Sequence, residues 1–149
     1  MIKKKEPIEL HIPSKLGFEK IAASCAVSIA KDMKFFPSKI DDLKTAVTEA
    51  CLNAIEHGNK MNQNVHVIVT MTPGDDSMVV EVWDNGGEKY DYKSDPDIKE
   101  KISGQNRPRG WGLFLIQNLM DEVDIKYVPQ KGNVIKMVMY LKKPSSEFQ

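Results

Sequence analysis

The sequence lacks several things that would have pointed elsewhere. It has no excess charge of either sign: 21 basic and 21 acidic side chains over 149 residues sum to zero. A nucleic-acid binder that works by releasing phosphate counterions needs a surplus of Lys and Arg, so that class is disfavoured. It has only two cysteines, Cys25 and Cys51, with neither the close spacing of a zinc site nor the density of a disulfide scaffold. They read as reduced packing residues, which fits a cytoplasmic protein. No stretch approaches the roughly 20 apolar residues of a membrane helix. After Met1-Ile2-Lys3-Lys4-Lys5, Glu6 and Pro7 stand where a secretory signal would carry its apolar run. What the sequence does have is 41% apolar residues, enough for one core, so a single domain over 1–149 is expected rather than a disordered chain.

Periodicity then divides the chain. Ile8, Leu10 and Ile12 alternate with Glu9 and His11, as in a half-buried strand. From Leu16 the period lengthens, and Phe18, Ile21, Ala22, Cys25, Ile29 and Met33 predict one helical face, with Ser14 as its N-cap. Pro37 separates this helix from a second, in which Ser38 and Asp41 are spaced as a capping box. Its buried stripe is Ile40, Leu43, Val47, Ala50 and Ala54, and Gly58 is its expected C-cap. Val65–Thr72 and Met78–Asp84 flank Pro73-Gly74-Asp75-Asp76 as a hairpin.

Residues 86–109 lose periodicity, a length that exceeds the roughly 12 to 15 residues beyond which loops are usually functional or disordered. This segment reads as a lid, and its stretch 88–107 holds five acidic and five basic residues, mixed rather than absent charge. A third helix begins near Gly112 with Leu113, Phe114, Ile116, Leu119 and Met120 as its apolar set. Strands Val123–Val128 and Val134–Leu141 and a polar tail, 142–149, complete the chain. The order β-α-α-β-β-lid-α-β-β implies an α/β two-layer sandwich, its sheet mixed or mainly antiparallel with helices on one face.

Three constellations carry chemistry. Glu49, Asn53 and His57 recur every four residues and climb one helical face at steps of about 6 Å. Ala46, Ala50 and Ala54 interleave with them as small residues beside which a ligand can come close. An Asn53 oxygen suits Mg²⁺, which takes one or two protein oxygens and completes its octahedron with water and phosphate. Glu49 can accept a proton from an attacking hydroxyl. The plainer reading of the segment is a solvated face with His57 near the helix C-terminus. Asp84-Asn85-Gly86-Gly87 ends a strand, where a carboxylate can accept the exocyclic amino group of adenine; taken alone, it reads more readily as an ordinary turn. Arg109-Gly110-Trp111-Gly112-Leu113 opens a helix with exposed amides and a positive charge, suited to a triphosphate. It has neither the third glycine of a dinucleotide fingerprint nor the Lys-Ser/Thr of a P-loop.

Their order and spacing resemble the GHKL ATPase/kinase superfamily over nearly the whole chain. Thr48-Glu49-Ala50-Cys51-Leu52-Asn53-Ala54-Ile55-Glu56-His57-Gly58, Gly110-Trp111-Gly112-Leu113-Phe114-Leu115-Ile116 and Met120-Asp121-Glu122-Val123 are similar to anti-sigma factor serine-protein kinases of the RsbW and SpoIIAB type. The resemblance implies a Bergerat-type fold with ATP or ADP and Mg²⁺ as cofactors. In it Asn53 carries the metal, Glu49 is the base, and Asp84 reads adenine. His57, Gly86, Arg109, Gly110, Trp111, Gly112, Leu113 and Asn133 contribute to the nucleotide pocket. It also implies phosphorylation of a serine on an anti-anti-sigma (STAS-domain) partner, binding of a sigma factor, and a homodimer, with neither nucleic acid nor membrane as a direct partner. Two positions depart from the family pattern: Glu88 stands where a further Gly is frequent, and Lys131-Gly132-Asn133 replaces a frequent Gly-Thr, with Asn133 as the substitute polar contact. Trp111 either packs on the core or shields nucleotide. These departures keep a second reading open, a nucleotide-sensing module that binds a partner without phosphorylating it. A histidine-kinase catalytic domain fits less well, since the length leaves no room for a helix pair carrying an acceptor histidine.

Overall fold

The structure, a computed structural model, describes residues 6–86 and 110–142. Five strands, β1 (Ile8–Pro13), β2 (His66–Pro73), β3 (Ser77–Trp83), β4 (Glu122–Val128) and β5 (Gly132–Tyr140), form one sheet in the order β1-β2-β3-β5-β4. Every neighbouring pair is antiparallel. Helices α1 (Glu19–Asp32), α2 (Pro37–Asn53) and α3 (Trp111–Leu119) cover one face, with α2 between the other two. The expected two-layer sandwich is therefore present, and its sheet is antiparallel throughout the described residues.

Strand alternation decides which face is covered. Leu10 and Ile12 pair with Val69 and Val67, Val69 and Met71 with Val82 and Val80, and Val80 and Val82 with Met137 and Ile135. Opposed residues share a face, so this register gathers Val67, Val69, Met71, Met78, Val80, Val82, Ile135, Met137 and Met139 under the helices, where all are buried. Through the middle of the opposite face runs the row Glu9, Thr70, Glu81, Lys136 and Asp124. Its polar and charged side chains belong to a sheet with one wetter face.

The helices adjust the expectations. In α2 the stripe is as read: Leu43, Val47, Ala50 and Ala54 are buried, and Ile40 packs at its edge. In α1 the expected face is met at Ala22 and Ile29, which are buried, and at Phe18, Cys25 and Met33, which pack against the core; Ala23, Ala26 and Ala30 are buried as well, whereas Ile21 is 51% exposed. Small alanines let α1 lie close against α2, and this close approach outweighs burial of the larger isoleucine. The expected caps are corrected. Ser14 does not cap α1, which starts after Phe18; the first-turn Glu19 instead accepts a hydrogen bond from the Gly17 amide at 2.6 Å. At α2, Ser38 and Asp41 form no capping box, because Pro37 occupies the first turn after an extended Phe36. Proline is favoured there since the N–H it lacks would have had no helical partner. Gly58 is not a left-handed C-cap either: α2 runs on into one π turn, Ala54–Gly58, closed by the bond from Asn59 N to Ala54 O at 2.8 Å. Phe114, expected in the core of α3, is 45% exposed and stacks on Trp111 with ring centroids 5.5 Å apart. Ile116 and Met120 carry the burial of that helix.

Both cysteines are free. Burial, reinforced by the negative charge of Glu19, pushes the Cys51 thiol up to about 12. At neutral pH it is a packing group and not a ligand or nucleophile.

Candidate functional site

One end of the sandwich brings together the end of α2, the exit of β3 and the start of β5. Asp84 leaves β3 with its carboxylate 1% exposed. Its Oδ1 accepts from Gly86 N at 2.9 Å, Asn133 N at 3.1 Å and Asn133 Nδ2 at 3.4 Å, while its own amide donates to Asn133 O at 3.0 Å. The two readings of Asp84-Asn85-Gly86 are thus compatible: one carboxylate oxygen makes the turn, and the turn fixes where the carboxylate sits. Hydrogen bonds to the charged form repay the cost of burying it.

Glycines make room for this arrangement. A Cβ on Gly58 would overlap Asp84 Oδ2, one on Gly86 would overlap Gly58 O, and one on Gly132 would overlap Asp84 O. Gly132 also has φ +115, a conformation that side chains resist. Gly58 and Gly132 were not among the expected site residues as glycines of the carboxylate's cradle. The place of Gly58 at a helix end had suggested a cap instead.

Glu49 and Asn53 stand one turn apart on α2, both half-buried. Asn53 Nδ2 is buried with no hydrogen-bond partner among the described residues, a donor that the rest of the fold leaves unsatisfied. His57 is exposed, because the π turn starting at Ala54 displaces it from the line a continuous α-helix would give. Ala46, Ala50 and Ala54 are 0–1% exposed and belong to the core; they do not line an open ligand face. Among the described residues no group of three or more His, Cys, Asp or Glu could cage a metal. A cation at Asn53 would take most of its ligands from phosphate and water, the habit of Mg²⁺.

Gly110 opens α3 in the left-handed conformation at φ 84, and Trp111, Gly112 and Leu113 form its half-buried first turn. Leu113 packs against the core. Trp111 stacks on Phe114, outside the core. Arg109 and the lid, apart from Gly86, lie outside the described residues.

Sequence reasoning missed Asn59. It is 5% exposed and lies directly after Gly58. A cavity of about 520 Å³ beside it is lined by Gly58, Asn59, Lys60, Asn62, Val65, Asn85 and Gly86. The π turn breaks the 3.6-residue period at this point, so periodicity could not mark Asn59 as interior. The only signal was a polar residue directly after a helix-ending glycine.

Residues 13–139 match the family profile described as a histidine kinase-like ATPase domain. The chain is 32% identical over 138 residues to the serine-protein kinase RsbW of Oceanobacillus iheyensis, covering 90% of this chain and 86% of that protein. It is 31% identical over 143 residues to RsbW of Bacillus subtilis, covering 90% and 85%. Against RsbW of a Bacillus cereus strain it is 28% identical over 155 residues, covering 99% and 92%. The crystal structure of the RsbU and RsbW domains of a Mycobacterium tuberculosis protein superposes with a TM-score of 0.63 at 18% identity, over 90% of this chain and 31% of that one, a likeness of fold. With a family model matched over most of its length and relatives at 31 to 32% identity over nearly all of it, the chain belongs to the histidine kinase-like ATPase family and, within it, to the RsbW-type serine-protein kinases.

Proposed function

We propose that this chain is an ATP- and Mg²⁺-dependent protein serine kinase that phosphorylates a serine of an anti-anti-sigma (STAS-domain) partner. In the same reading it sequesters a sigma factor, acts as a homodimer, and switches between its two protein partners in the cytoplasm. The observation that carries the nucleotide part is Asp84: a buried carboxylate, held by Gly86 and Asn133 and given room by Gly58 and Gly132. Such a group accepts hydrogen bonds and rejects an oxygen in the same place, the discrimination that separates an amino-bearing base from a keto-bearing one.

The remaining roles are those that the family resemblance implies. Gly110 and Gly112 offer backbone amides at the start of α3, where the helix N-terminus favours phosphate. Arg109, the preceding residue in the sequence, would supply positive charge, and Trp111 and Leu113 belong to the first turn of α3. Asn53 would hold Mg²⁺ together with phosphate oxygens, and the ion would neutralise phosphate charge. Glu49, one turn before, accepts the proton of the serine hydroxyl. The serine oxygen forms its bond to the terminal phosphorus, the bond from that phosphorus to the ADP oxygen breaks, and ADP leaves. His57, exposed at the π turn, faces solvent at the rim.

Transfer of label from ATP to the STAS partner tests the reading. Glu49→Ala should keep ATP affinity within a few-fold while phosphoserine formation falls by roughly 10² to 10⁴. Unchanged transfer would remove Glu49 from the chemistry. A second reading, a nucleotide-sensing module that binds a partner without phosphorylating it, draws on the departures from the family pattern at Glu88 and Asn133, the latter with its side-chain amide donating to Asp84. Robust labelling of the partner excludes it.

A further inference from the structure

We infer that Asn59 is a positioning residue that sets base selectivity by clamping the Asp84 turn from the helix side, an inference that rests on the nucleotide reading of Asp84. The Asn59 amide spends both of its ends on three different elements. Nδ2 donates to Ser14 Oγ at 2.9 Å, just past β1, and to His66 O at 3.3 Å, at the start of β2. Oδ1 accepts from Asn85 N at 2.8 Å, in the turn that leaves β3. Ser14 completes the chain by donating to Val65 O at 2.5 Å. An amide has two donor hydrogens and one acceptor oxygen, and here each of them has a partner.

The geometry makes this more than a satisfied buried polar group. The Asp84 turn is gripped from the β5 side by Asn133, through the Asp84 amide and carboxylate. From the other side the Asn59 bond to the adjacent amide, Asn85 N, holds the same turn. Gly58, the residue before Asn59, supplies the clearance for Asp84 Oδ2. One dipeptide at the end of the π turn thus makes space for the carboxylate and fixes the backbone that carries it. The π turn is what delivers it: the widened last turn brings Asn59 N onto Ala54 O, and the chain then passes through two successive left-handed residues, Lys60 at φ 53 and Met61 at φ 62. Left-handed conformations cost energy for residues other than glycine and persist where the surroundings demand them. A helix ending in an ordinary left-handed glycine cap would not place this amide between β1, β2 and β3.

Selectivity is the readout that separates positioning from simple support. A carboxylate discriminates amino from keto only if its acceptor oxygen is held at hydrogen-bonding distance from the base edge. Loosening the turn should therefore cost ATP far more than ITP, whose base carries an oxygen where adenine carries the amino group. We expect the wild-type chain to bind ATP at least roughly tenfold more tightly than ITP, the scale of one hydrogen bond to a charged group. In Asn59→Ala the ATP/ITP ratio should fall to within about threefold of unity, chiefly through loss of ATP affinity. Ser14→Ala removes one strut but leaves the bond to Asn85, and its ratio should lie between the two. Leu43→Ala, in the core away from this turn, serves as a destabilised control and should keep the wild-type ratio. Binding is measured by calorimetry on full-length protein below each variant's melting temperature. An unchanged ratio in Asn59→Ala, or an equal fall in Leu43→Ala, overturns the assignment of Asn59 alone. A wild-type chain that binds neither nucleotide, or both equally, overturns the reading of Asp84 and this inference with it.

Discussion

At the scale of single residues, the site depends as much on atoms that are missing as on those present. Gly58 shows this most sharply, because its absent side chain is the space in which Asp84 Oδ2 sits. Gly58→Ala must move either the π turn or the carboxylate, and both are tied into hydrogen bonds. We expect a loss of about 1 to 3 kcal/mol of stability, the usual cost of overpacking, with ATP affinity reduced at least tenfold. Thermal unfolding and calorimetric titration measure the two effects, and ATP affinity equal to that of wild type would show that the carboxylate does not read the base. Cys51 supplies a different residue-scale test. Its thiol is held up at about 12 in the folded chain against an ordinary value of 9.0. Between those values the unfolded chain has released a proton that the folded chain keeps. The contribution is therefore complete below about pH 9 and declines as pH rises toward 12, by about 1.4 kcal/mol per unit. Wild-type protein should lose melting temperature over that alkaline range more steeply than Cys51→Ala, and parallel curves would contradict the burial-driven shift.

At the scale of elements, the sequence was most readable where one period ran unbroken. The alternation of Ile8, Leu10 and Ile12 marked a half-buried strand, of which Ile12 is buried, and the stripe of α2 from Leu43 to Ala54 is the one observed. Reading failed where two physical demands competed. In α1 the expected face holds at Ala22 and Ile29 and, packed against the core, at Phe18, Cys25 and Met33, but Ile21 is exposed while Ala23, Ala26 and Ala30 are buried. At helix starts, Ser14 and Ser38 have the right chemistry for caps, yet Ser14 is used in the buried bond to Val65 and Pro37 begins α2 without a side-chain cap. At the end of α2 the helical period itself changes. For that reason the line Glu49, Asn53, His57 was legible as far as Asn53, while the exposure of His57 and the burial of Asn59 were not. Asp84 and Asn133 lie 49 residues apart in sequence, so their hydrogen bonds depend on β3 and β5 being neighbours, a pairing that no local pattern encodes.

At the scale of the whole molecule, the candidate site ties the ends of neighbouring strands to one another and sets them beside the central helix. The Asp84 turn is bonded to β5 through Asn133 and to the β1 and β2 ends through Asn59, while Asn53 and Glu49 belong to the central helix. A nucleotide that engages Asp84 at one end and Asn53 through its phosphates at the other would cross-link sheet and helices. Binding to the folded state alone then raises global stability by RT ln(1 + [L]/Kd), about 2.7 kcal/mol at a hundredfold excess over Kd. For a domain of this size that corresponds to roughly 5 to 10 °C in melting temperature. ATP with Mg²⁺ should produce such a shift in wild-type protein. Asp84→Asn should lose most of it, because the base-reading acceptor is weakened, and Asn53→Ala should lose the increment that Mg²⁺ adds over ATP alone. Differential scanning fluorimetry across nucleotide and metal titrations reads all three, and the metal arm is the decisive one. If the Mg²⁺ increment survives in Asn53→Ala, the Asn53 side chain is not where the cation binds.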